Sequence, residues 1–501
     1  MNTFPSRARL AVGGILLAGA VASASGLRFS DFTPLVASAG PTADEAMPVT
    51  FGNPAFEQAS IADRTFQLGA GVPNSGNWDM LTVNETGRHR GRYLFTVFET
   101  GQAGVQRHDL KTGLVETVWY SPTPGGHVAF DASYWTPWGT FITAEESWST
   151  AAGGSTSPYG RLFELKNPLQ APGIVGVPTA ASNLNADFVH QNVIPRTSHE
   201  GIQFDSAGNM YFIDELNGGN VYKYTPAASM KRVKAGRADY FAAGQTFVLR
   251  VGDGNTPNAT GAYQWVPFTD GTGAGLPGAL TITDTNGVTS VDARNTTNLP
   301  AFKGTDYQRP EDLQIQIVRG REYLYMATTT TNEVYRLDLR NQVISVFADR
   351  NTLDLATGAP VGVALTSPDN LAIDHEGNIY VIEDQPGGVS DDIWFAKDRN
   401  RDGDLLDAGE GLARWASNGT PGSEFTGLYF DPFNKGRAWV NIQHPSSGND
   451  RTIEIRLPGR RHGHDHDGDH SECDDDDHRN DHRDGDRRDD RRGDDRYDRR
   501  R

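Results

Sequence analysis

TSHEGIQFDSAGNMYFIDE, residues 197–215, contains two apolar segments separated by the turn sequence DSAGN. Alternating apolar residues indicate β-strands, and Gly and Asn in the turn favour the left-handed conformations of a tight hairpin. Glu200 begins this hairpin and Glu215 ends it. SPDNLAIDHEGNIYVIED, residues 367–384, follows the same plan with DHEGN as its turn. The chain therefore contains at least two copies of one hairpin.

Looser copies of the hairpin occur elsewhere in the chain. They begin at Asn77, Val128, Arg309 and Glu424, and several continue into a third strand, as in NVYKYTP and EVYRLDL. Repetition at intervals of tens of residues indicates an array, since units this small could not each build a core. The sequence predicts an all-β fold, a six-bladed β-propeller with a metal site at the mouth of its central channel. A β-sandwich with chance similarities between its hairpins is the alternative.

The metal site is predicted from carboxylates at the ends of these hairpins. In a propeller the innermost strand of each blade lines the channel, and the second strand runs antiparallel to it. The start of the first strand and the end of the second therefore share one mouth. The acids in these positions are Glu145, Glu146, Glu200, Glu215, Glu311, Asp369, Glu383 and Asp384. They would raise one another's pKa, and Ca²⁺, which takes about 6–8 oxygen ligands, would relieve their repulsion. The alternative is that each acid caps a hairpin and faces water.

A second candidate site lies in KDRNRDGDLLDAGE, residues 397–410, where polar residues alternate around Gly403. This pattern is that of the first half of a calcium loop. The predicted ligands are Asp398, Asn400, Asp402 and Asp404. The twelfth position is Gly409, and Glu410 comes one residue late for an EF-hand. We expect a small structural calcium loop, with a solvated acidic turn as the alternative.

Arg309 lies two residues before Glu311, where an innermost strand begins. At an acidic mouth its guanidinium would either pair with glutamates or form two hydrogen bonds to phosphate oxygens, and the sequence leaves both open. His127, His199 and His444 are further candidates near the mouth, each with a structural role as the alternative. The sequence has no G-x-x-x-x-G-K-[ST], H-E-x-x-H or G-x-S-x-G motif.

The formal net charge of the 501 residues is −18, which argues against non-specific binding to nucleic acid or anionic membranes. Arg7, Arg9, the apolar run 10–21 and the small residues 22–24 predict a cleaved signal peptide over residues 1–24. This run is too short to span a bilayer, although an uncleaved anchor is the alternative. We expect export by the general secretory route to the periplasm or the extracellular space, with no transmembrane anchor after cleavage.

The mature chain is predicted to comprise an N-terminal extension (25–74), the propeller domain (75–458) and a disordered tail (459–501). The tail carries 12 Arg, 16 acidic residues and six of the 13 His, and with almost no apolar residues it cannot form a core. Metal scavenging or surface adhesion is its functional alternative. Cys473, the only cysteine, lies in this tail, so the propeller must be stabilised by packing and metals rather than by a disulfide within the chain.

Six motifs occur in this order along the chain: WGTFITAEESW, HEGIQFD, RPEDL, SPDNLAID, DDIW and EFTGLYFDP. Together they resemble the PhoX family of secreted bacterial alkaline phosphatases (DUF839), over about residues 76–457. The resemblance implies a six-bladed propeller whose mouth holds calcium and iron ions that bind and activate phosphate monoesters. It implies that Glu200 and Glu311 are metal ligands and that Arg309 contacts phosphate. It also implies that Glu145, Glu146 and the acids of the later blades are further ligands.

The sequence departs from the family at TCEE, which is Thr143-Ala144-Glu145-Glu146 here. The cysteine that the resemblance would place on iron is thus an alanine, and the remaining oxygen donors favour Ca²⁺, Mg²⁺ or Mn²⁺. Iron dependence is therefore doubtful. The twin-arginine signal common in the family is also absent, so the protein would fold outside the cytoplasm, where calcium is abundant.

We expect a monomeric, secreted, metal-dependent phosphatase acting on small-molecule phosphate esters. Bound Ca²⁺ would hold the phosphate oxygens, Arg309 would add a bidentate contact, and an activated water would attack in line. The ligands would be Glu145, Glu200, Glu215, Glu311 and Glu383. One alternative is a calcium-dependent lactonase or esterase on the same fold. Another is a calcium-stabilised binding propeller without catalytic activity.

Overall fold

Each predicted hairpin forms the inner half of an antiparallel sheet in the computed structural model of the protein. The described residues are 26–147, 154–173, 187–384 and 391–458. Within them, six blades of four or five strands surround one axis, which confirms the all-β six-bladed propeller. The predicted signal peptide and the charged tail lie outside the described residues.

The blades follow the sequence repeats in order, and the strands of each blade are named from the axis outwards. Blade 1 contains Trp78–Val83, Tyr93–Phe98, Gly104–Asp109 and Leu114–Tyr120. Blade 2 contains Tyr134–Trp135, Phe141–Ala144, Leu162–Leu165 and Phe188–His190. Blade 3 contains Ile202–Phe204, Met210–Ile213, Val221–Pro226, Gly244–Val251 and Gly261–Pro267. Blade 4 contains Pro310–Val318, Arg321–Thr328, Glu333–Asp338 and Val343–Ala348. Blade 5 contains Pro368–Ile373, Ile379–Glu383, Asp392–Lys397, Gly411–Asn418 and Val49–Phe51. Blade 6 contains Glu424–Phe430, Arg437–Gln443, Arg451–Arg456 and Glu57–Asp63.

The ring is closed by strands from opposite ends of the chain. Glu57–Asp63 pairs antiparallel with Arg451–Arg456 and becomes the outermost strand of blade 6. Val49–Phe51 likewise pairs with Gly411–Asn418 in blade 5. The sequence boundary at residue 75 therefore omits two strands, because neither resembles the repeated hairpin and both pair only at blade edges.

Both faces of the inner strands are buried, which explains their nearly continuous apolar sequences. In Met210–Ile213, Met210 and Phe212 pack towards blade 2, whereas Tyr211 and Ile213 pack towards blade 4. Apolar clusters of this kind fill the junctions between blades 1 and 2, 2 and 3, 3 and 4, 4 and 5, 5 and 6, and 6 and 1. Packing between blades thus supplies the core that no single blade has.

The hairpin turns form as the sequence predicts. Gly208 has a φ of 89°, and Asp205 accepts a hydrogen bond from the N–H of Asn209 at 2.8 Å. In the second copy Gly377 has a φ of 79°, and Asp374 accepts the equivalent hydrogen bond at 2.9 Å. Only glycine adopts such φ values without strain, so the turn sequence fixes the register of both hairpins.

Helical structure is sparse and short. Among the described residues, the α-helices are Thr65–Gly69, Met230–Lys234 and Ala293–Thr296, and the 3₁₀ turns are Gly154–Thr156 and Gly362–Ala364. Two small ribbons pair Asn217–Gly219 with Tyr307–Gln308 and Thr281–Thr283 with Thr289–Val291. No helix within the described ranges has the length and apolarity needed to cross a bilayer.

Candidate metal centre

Acidic side chains repeat at one register position where the innermost strands begin. In four blades a residue with positive φ precedes the strand, and an acid follows two residues later. These residues are Asn77, Ala129, Arg309 and Ser367, with φ of 50°, 41°, 53° and 43°. In blade 6 Gly422, with a φ of 72°, has this position, and in blade 3 Ser198 does. The six acids, termed the first-strand acids, are Asp79, Asp131, Glu200, Glu311, Asp369 and Glu424.

A second group of polar residues follows the second strands and is held beside the first group by backbone hydrogen bonds. The N–H groups of Glu99, Glu146, Glu215 and Asp384 each donate to the carbonyl of the residue two before a first-strand acid, at 2.9 Å in each case. Thr329 makes the equivalent bond in blade 4 at 3.2 Å. These four acids are termed the second-strand acids. The antiparallel pairing thus gathers carboxylates from all six blades at one mouth.

The tightest group contains three first-strand acids. Carboxylate oxygens of Glu200, Glu311 and Asp369 all lie within 4.8 Å of one another. The amide of Asn370 donates to Oε1 of Glu200 at 3.1 Å and accepts from the N–H of Gly427 at 2.6 Å, which fixes this carboxylate. Oε2 of Glu200 and Oε2 of Glu311 are buried and accept no hydrogen bond from any described residue. Such oxygens are unfavourable in a protein interior unless a cation is present.

The acids also perturb one another's protonation. Burial, followed by the negative charge of neighbouring carboxylates, raises the pKa of each first-strand acid. The pKa of Glu311 rises to about 8, and the pKa values of the other members rise well above the ordinary range: Asp79, Asp131, Glu200, Asp369 and Glu424. The same causes raise the pKa of Glu146. These groups cannot all ionise without cations between them.

Arg309 reaches into this cluster from the mouth. Its Nη2 donates to Oε1 of Glu215, and its Nε lies 3.3 Å from Oε1 of Glu311. Burial lowers the pKa of Arg309, but the two carboxylates outweigh it and raise that pKa overall. The side chain is 33% exposed, so part of the guanidinium faces the channel. Both sequence-based interpretations of Arg309 are therefore compatible with its position: it pairs with glutamates and still presents donors.

Two predicted ligands lie against protein donors instead. Both carboxylate oxygens of Glu145 accept hydrogen bonds from Arg161, at 2.7 Å from Nε and 2.5 Å from Nη2. Glu383 accepts hydrogen bonds from the N–H of Thr366 at 2.9 Å and from Nε1 of Trp394 at 2.8 Å. Arg161 immediately precedes the third strand of blade 2, Trp394 lies in the third strand of blade 5, and Thr366 lies in the loop that enters the first strand of blade 5. These contacts therefore fix the ends of the second strands to neighbouring segments of their own blades. The adjacent acids Glu146 and Asp384 are the ones in the cluster.

Sequence reasoning missed several members of the cluster. Asp79, Asp131 and Glu424 are first-strand acids in the looser repeats, and NWD, AFD and GSE contain them in the register of RPE and SPD. The sequence signal that could have identified these three acids is therefore their shared position at the start of each repeat. Glu99 follows a second strand, and Asp391, whose two carboxylate oxygens are buried with no donor among the described residues, precedes a third strand. No repeat pattern marks Asp391.

The three candidate histidines have different environments. His444 lies at the cluster, with Nε2 2.6 Å from Oε1 of Glu424 and Nδ1 donating to the carbonyl of Gly422 at 3.0 Å. His199 is buried beside Phe212, and His127 packs against an aromatic group in blades 1 and 2. Burial lowers the pKa of each of these two to about 3, so both are neutral interior residues.

The channel narrows beyond the acids. A Cβ on Gly201 would lie 2.4 Å from the backbone nitrogen of Leu313, and one on Gly427 would lie 2.7 Å from that of Leu81. Further along the strands the channel widens into a cavity of about 270 Å³, lined in part by Met80 and Tyr429. The innermost strands therefore separate the acids from this cavity.

The predicted calcium loop lies elsewhere. Residues 398–410 connect the third and fourth strands of blade 5, Asp392–Lys397 and Gly411–Asn418. Because first strands start and second strands end at the acidic mouth, the third strand ends at the opposite face. The loop is therefore a separate site.

Comparisons with known proteins agree with this architecture. The family model described as alkaline phosphatase PhoX matches residues 132–446. The solved structure of Pseudomonas fluorescens PhoX in complex with vanadate, a transition state analogue, is similar with a TM-score of 0.59 and 15% identity, covering 86% of this chain and 98% of that one. A gluconolactonase from Xanthomonas campestris has a TM-score of 0.40 and 12% identity, covering 85% and 100%. No curated protein matches the sequence. The family match spans well over half of the chain, and with the observed propeller it establishes that the chain belongs to the PhoX family of alkaline phosphatases.

Proposed function

We propose that this PhoX-family phosphatase hydrolyses small phosphate monoesters at the acidic mouth of the propeller, with divalent cations held by the first-strand acids. The observation that carries the proposal is the convergence of Glu200, Glu311 and Asp369 beside the partly exposed guanidinium of Arg309. Glu200 and Glu311 each contribute a buried oxygen that has no hydrogen-bond donor among the described residues. Carboxylates alone would repel a phosphate ester. Binding of such a substrate therefore requires the cations.

The donor set fits hard cations. Both ring nitrogens of His444 are engaged with Glu424 and Gly422. The acids at the mouth offer carboxylate oxygens, which suit Ca²⁺, Mg²⁺ and Mn²⁺. Ala144, where the family resemblance places an iron-binding cysteine, is fully buried in the apolar cluster between blades 2 and 3 and offers no ligand atom. We therefore propose several Ca²⁺ ions as the physiological cofactor, with Mg²⁺ or Mn²⁺ as substitutes and no requirement for iron.

The acids and Arg309 would have different roles in the reaction. Glu200, Glu311 and Asp369 would hold the central ions, and Asp79, Asp131 and Glu424 with the second-strand acids would complete the cluster. Bound cations would supply positive charge to the non-bridging phosphate oxygens and would lower the pKa of a water that attacks phosphorus. Arg309 donates hydrogen bonds to the phosphate and stabilises the charge that develops on it. Its partial pairing with Glu215 and Glu311 holds the guanidinium in place before substrate arrives.

An anionic substrate fits this site better than a neutral lactone. The exposed guanidinium of Arg309 offers a planar pair of donors that matches phosphate geometry. A lactone has no charge with which to use that contact. Parallel assays with an aryl phosphate and a lactone separate the two activities.

The central test replaces a ligand without changing its size. Glu311→Gln is expected to reduce kcat/KM for an aryl phosphate by about 100-fold or more, because it removes a negative ligand next to Arg309. Glu57→Gln, an exposed residue on the outermost strand of blade 6, serves as the matched control and should retain activity. Full metal-dependent turnover by Glu311→Gln would refute the assignment.

We also propose that the protein is exported as a monomer after cleavage of residues 1–24. Support comes from the sequence of this segment and from the abundance of calcium outside the cytoplasm. Detection of the mature protein in periplasmic or culture fractions, with a new N-terminus near residue 25, would test this.

A further inference from the structure

The loop at residues 398–410 has a geometry that the spacing of its residues did not predict. Lys397 and Gly411 are paired in the antiparallel ladder, so Asp398 and Glu410 face each other directly beyond that pair. The ladder therefore brings Glu410 back to the start of the loop, although it comes one residue late for an EF-hand. Hairpin register rather than helix geometry closes this loop.

Three carboxylates converge inside the loop. Oxygens of Asp398, Asp402 and Glu410 all lie within 4.8 Å of one another. Asp398 is held by hydrogen bonds from the backbone N–H groups of Arg401 at 2.6 Å and Gly403 at 2.9 Å. The three negative groups therefore face one another on a backbone that fixes them.

Glu410 provides an independent sign of a ligand. Its side chain is 1% exposed, and Oε1 accepts hydrogen bonds from the N–H groups of Arg399 at 2.8 Å and Asn400 at 3.2 Å. Oε2 is buried and has no hydrogen-bond donor in the part of the chain that the structure describes. A buried carboxylate oxygen without a donor, on a side chain that lies beside two other carboxylates, is unfavourable unless it binds a cation.

We propose that Asp398, Asp402 and Glu410 bind one Ca²⁺ ion at the face of the propeller opposite the catalytic mouth. Hard oxygen ligands suit Ca²⁺, and loop carbonyls and water would supply the remaining oxygens of its 6–8-fold coordination. This site is separate from the proposed phosphatase centre, so it stands whether or not that function is correct.

The two other predicted loop ligands do not belong to this group of three carboxylates. The side-chain amide of Asn400 donates to Asp402 at 2.9 Å and to Asp407 at 2.7 Å. Oδ1 of Asp404 accepts the N–H of Leu406 at 3.0 Å. The side chains of Asn400 and Asp404 stabilise the turn. Glu410, rather than these two residues, completes the proposed set of ligands.

The position of the loop indicates what the ion does. Arg336 of blade 4 donates from Nη1 to the carbonyl of Asp402 at 2.8 Å and stacks over Tyr323, 3.8 Å from its ring centroid. Gly403, with a φ of 89°, lets the loop pass this guanidinium, because a Cβ there would lie 1.9 Å from Cζ of Arg336. An ion that orders the loop therefore stabilises the junction between blades 4 and 5.

The test counts calcium ions in protein that has been stripped and reloaded. Glu410→Gln and Asp402→Asn are each expected to bind one Ca²⁺ fewer per chain than the unmodified protein, and to lose a few degrees of the calcium-dependent rise in melting temperature. Asp404→Asn is the matched control, since it makes the same charge change in the same loop and should keep the full stoichiometry. Phosphatase activity at saturating calcium should be unchanged in all three.

Asp402 is exposed, so its variant folds even if Glu410→Gln does not. Full calcium stoichiometry in Asp402→Asn would overturn the proposal. Loss of one ion in Asp404→Asn as well as in Asp402→Asn would also overturn it, since the loop would then bind through its general charge. Glu311→Gln reports on the other site: it should lose turnover while keeping the loop ion, so failures of the two proposals are distinguishable.

Discussion

At the scale of single residues, Arg309 combines two constraints at one position. Its φ of 53° turns the chain into the first strand of blade 4, and its side chain lies between Glu215 and Glu311. A non-glycine residue with positive φ is strained, and such strain is retained where the surroundings require it. At Arg309 the surroundings are Glu215 and Glu311, whose carboxylates hold the guanidinium in place.

Arg309→Lys should therefore weaken catalysis while leaving the fold intact. Lysine keeps the charge but loses the planar pair of donors, and a charge-assisted hydrogen bond contributes roughly 1.5–3 kcal/mol, or about 10- to 100-fold in kcat/KM. Steady-state kinetics with an aryl phosphate measure the change. An unaltered kcat/KM in a variant with the original melting temperature would mean that Arg309 only pairs with glutamates.

The raised pKa values in the cluster lead to a second prediction, which concerns the pH dependence of stability in the metal-free protein. The pKa values of Glu311 and Glu383 are raised to about 8 from an ordinary 4.5, mainly by burial, with Glu215 and Asp392 respectively adding to the shift. The folded protein then binds protons that the unfolded chain has released. The stabilisation is complete below about pH 4.5 and is lost as pH rises to about 8.

The melting temperature of chelated protein should accordingly fall between about pH 5 and 8, and added Ca²⁺ should reduce this fall by stabilising the ionised form of Glu311. Thermal denaturation across this range, with and without Ca²⁺, provides the measurement. Glu311→Gln is the control, because it should remove part of the pH dependence. A metal-free protein that became more stable with rising pH would contradict the prediction.

Sequence alone identified much of the cluster but misassigned neighbouring acids. Glu200, Glu311 and Asp369 lie together, as expected of acids that begin the clearest repeats. Adjacent residues on an extended strand point to opposite sides, and alternation does not say which one faces the axis. Glu145 therefore pairs with Arg161 while Glu146 joins the cluster, and the same choice separates Glu383 from Asp384.

At the scale of elements, β-bulges decide where the acids point. The ladders between first and second strands shift register between Trp78 and Leu81, between Pro310 and Leu313, and between Pro368 and Leu371. In each case the acid lies inside the irregular segment. A bulge redirects a side chain and increases the local twist, and this turns Asp79, Glu311 and Asp369 towards the mouth. Hairpins were predictable from alternation and turn residues, but a bulge leaves no equivalent mark in the sequence.

Blade 6 contains a similar irregularity at a point of close approach. Gly427 has a φ of 61°, and a Cβ there would lie 2.7 Å from the backbone nitrogen of Leu81 in blade 1. Gly427→Ala should reduce the free energy of unfolding by about 1–3 kcal/mol, through backbone strain and a forced separation of the two blades. Chemical denaturation measures this change in the free energy of unfolding. Gly101→Ala, with no atom within 4 Å of the added carbon, is the control and should have little effect.

At the scale of the whole molecule, six repeats predicted six blades, but not how the ring closes. Val49–Phe51 and Glu57–Asp63 pair with strands more than 350 residues away along the chain. Neither strand has the hairpin pattern, so composition and periodicity gave no reason to include them in the domain. Long-range pairing of an edge strand is set by the geometry of the closed ring, which local sequence does not encode.

A chain that begins at residue 64 should therefore lose more stability than its length suggests. Blade 6 would lack its outermost strand, and Arg451–Arg456 would become an exposed edge. We expect a lower melting temperature and weaker metal binding, measured by thermal denaturation and calcium titration. A chain that ends at residue 458 is the control, and its activity and melting temperature should match those of the full protein. Equal stability of the two shortened chains would count against closure by the N-terminal strands.

The pairing of Glu57–Asp63 with the last strand, Arg451–Arg456, also sets the order in which the enzyme can become active. Asp79 and Glu424 belong to blades 1 and 6, whose innermost strands are brought side by side when the final repeat docks against a strand from the beginning of the chain. A chain still emerging from a ribosome lacks that final repeat. Until that repeat docks, Asp79 and Glu424 stay apart and the ring of carboxylates is incomplete, so we expect full activity only after the last blade has closed the ring.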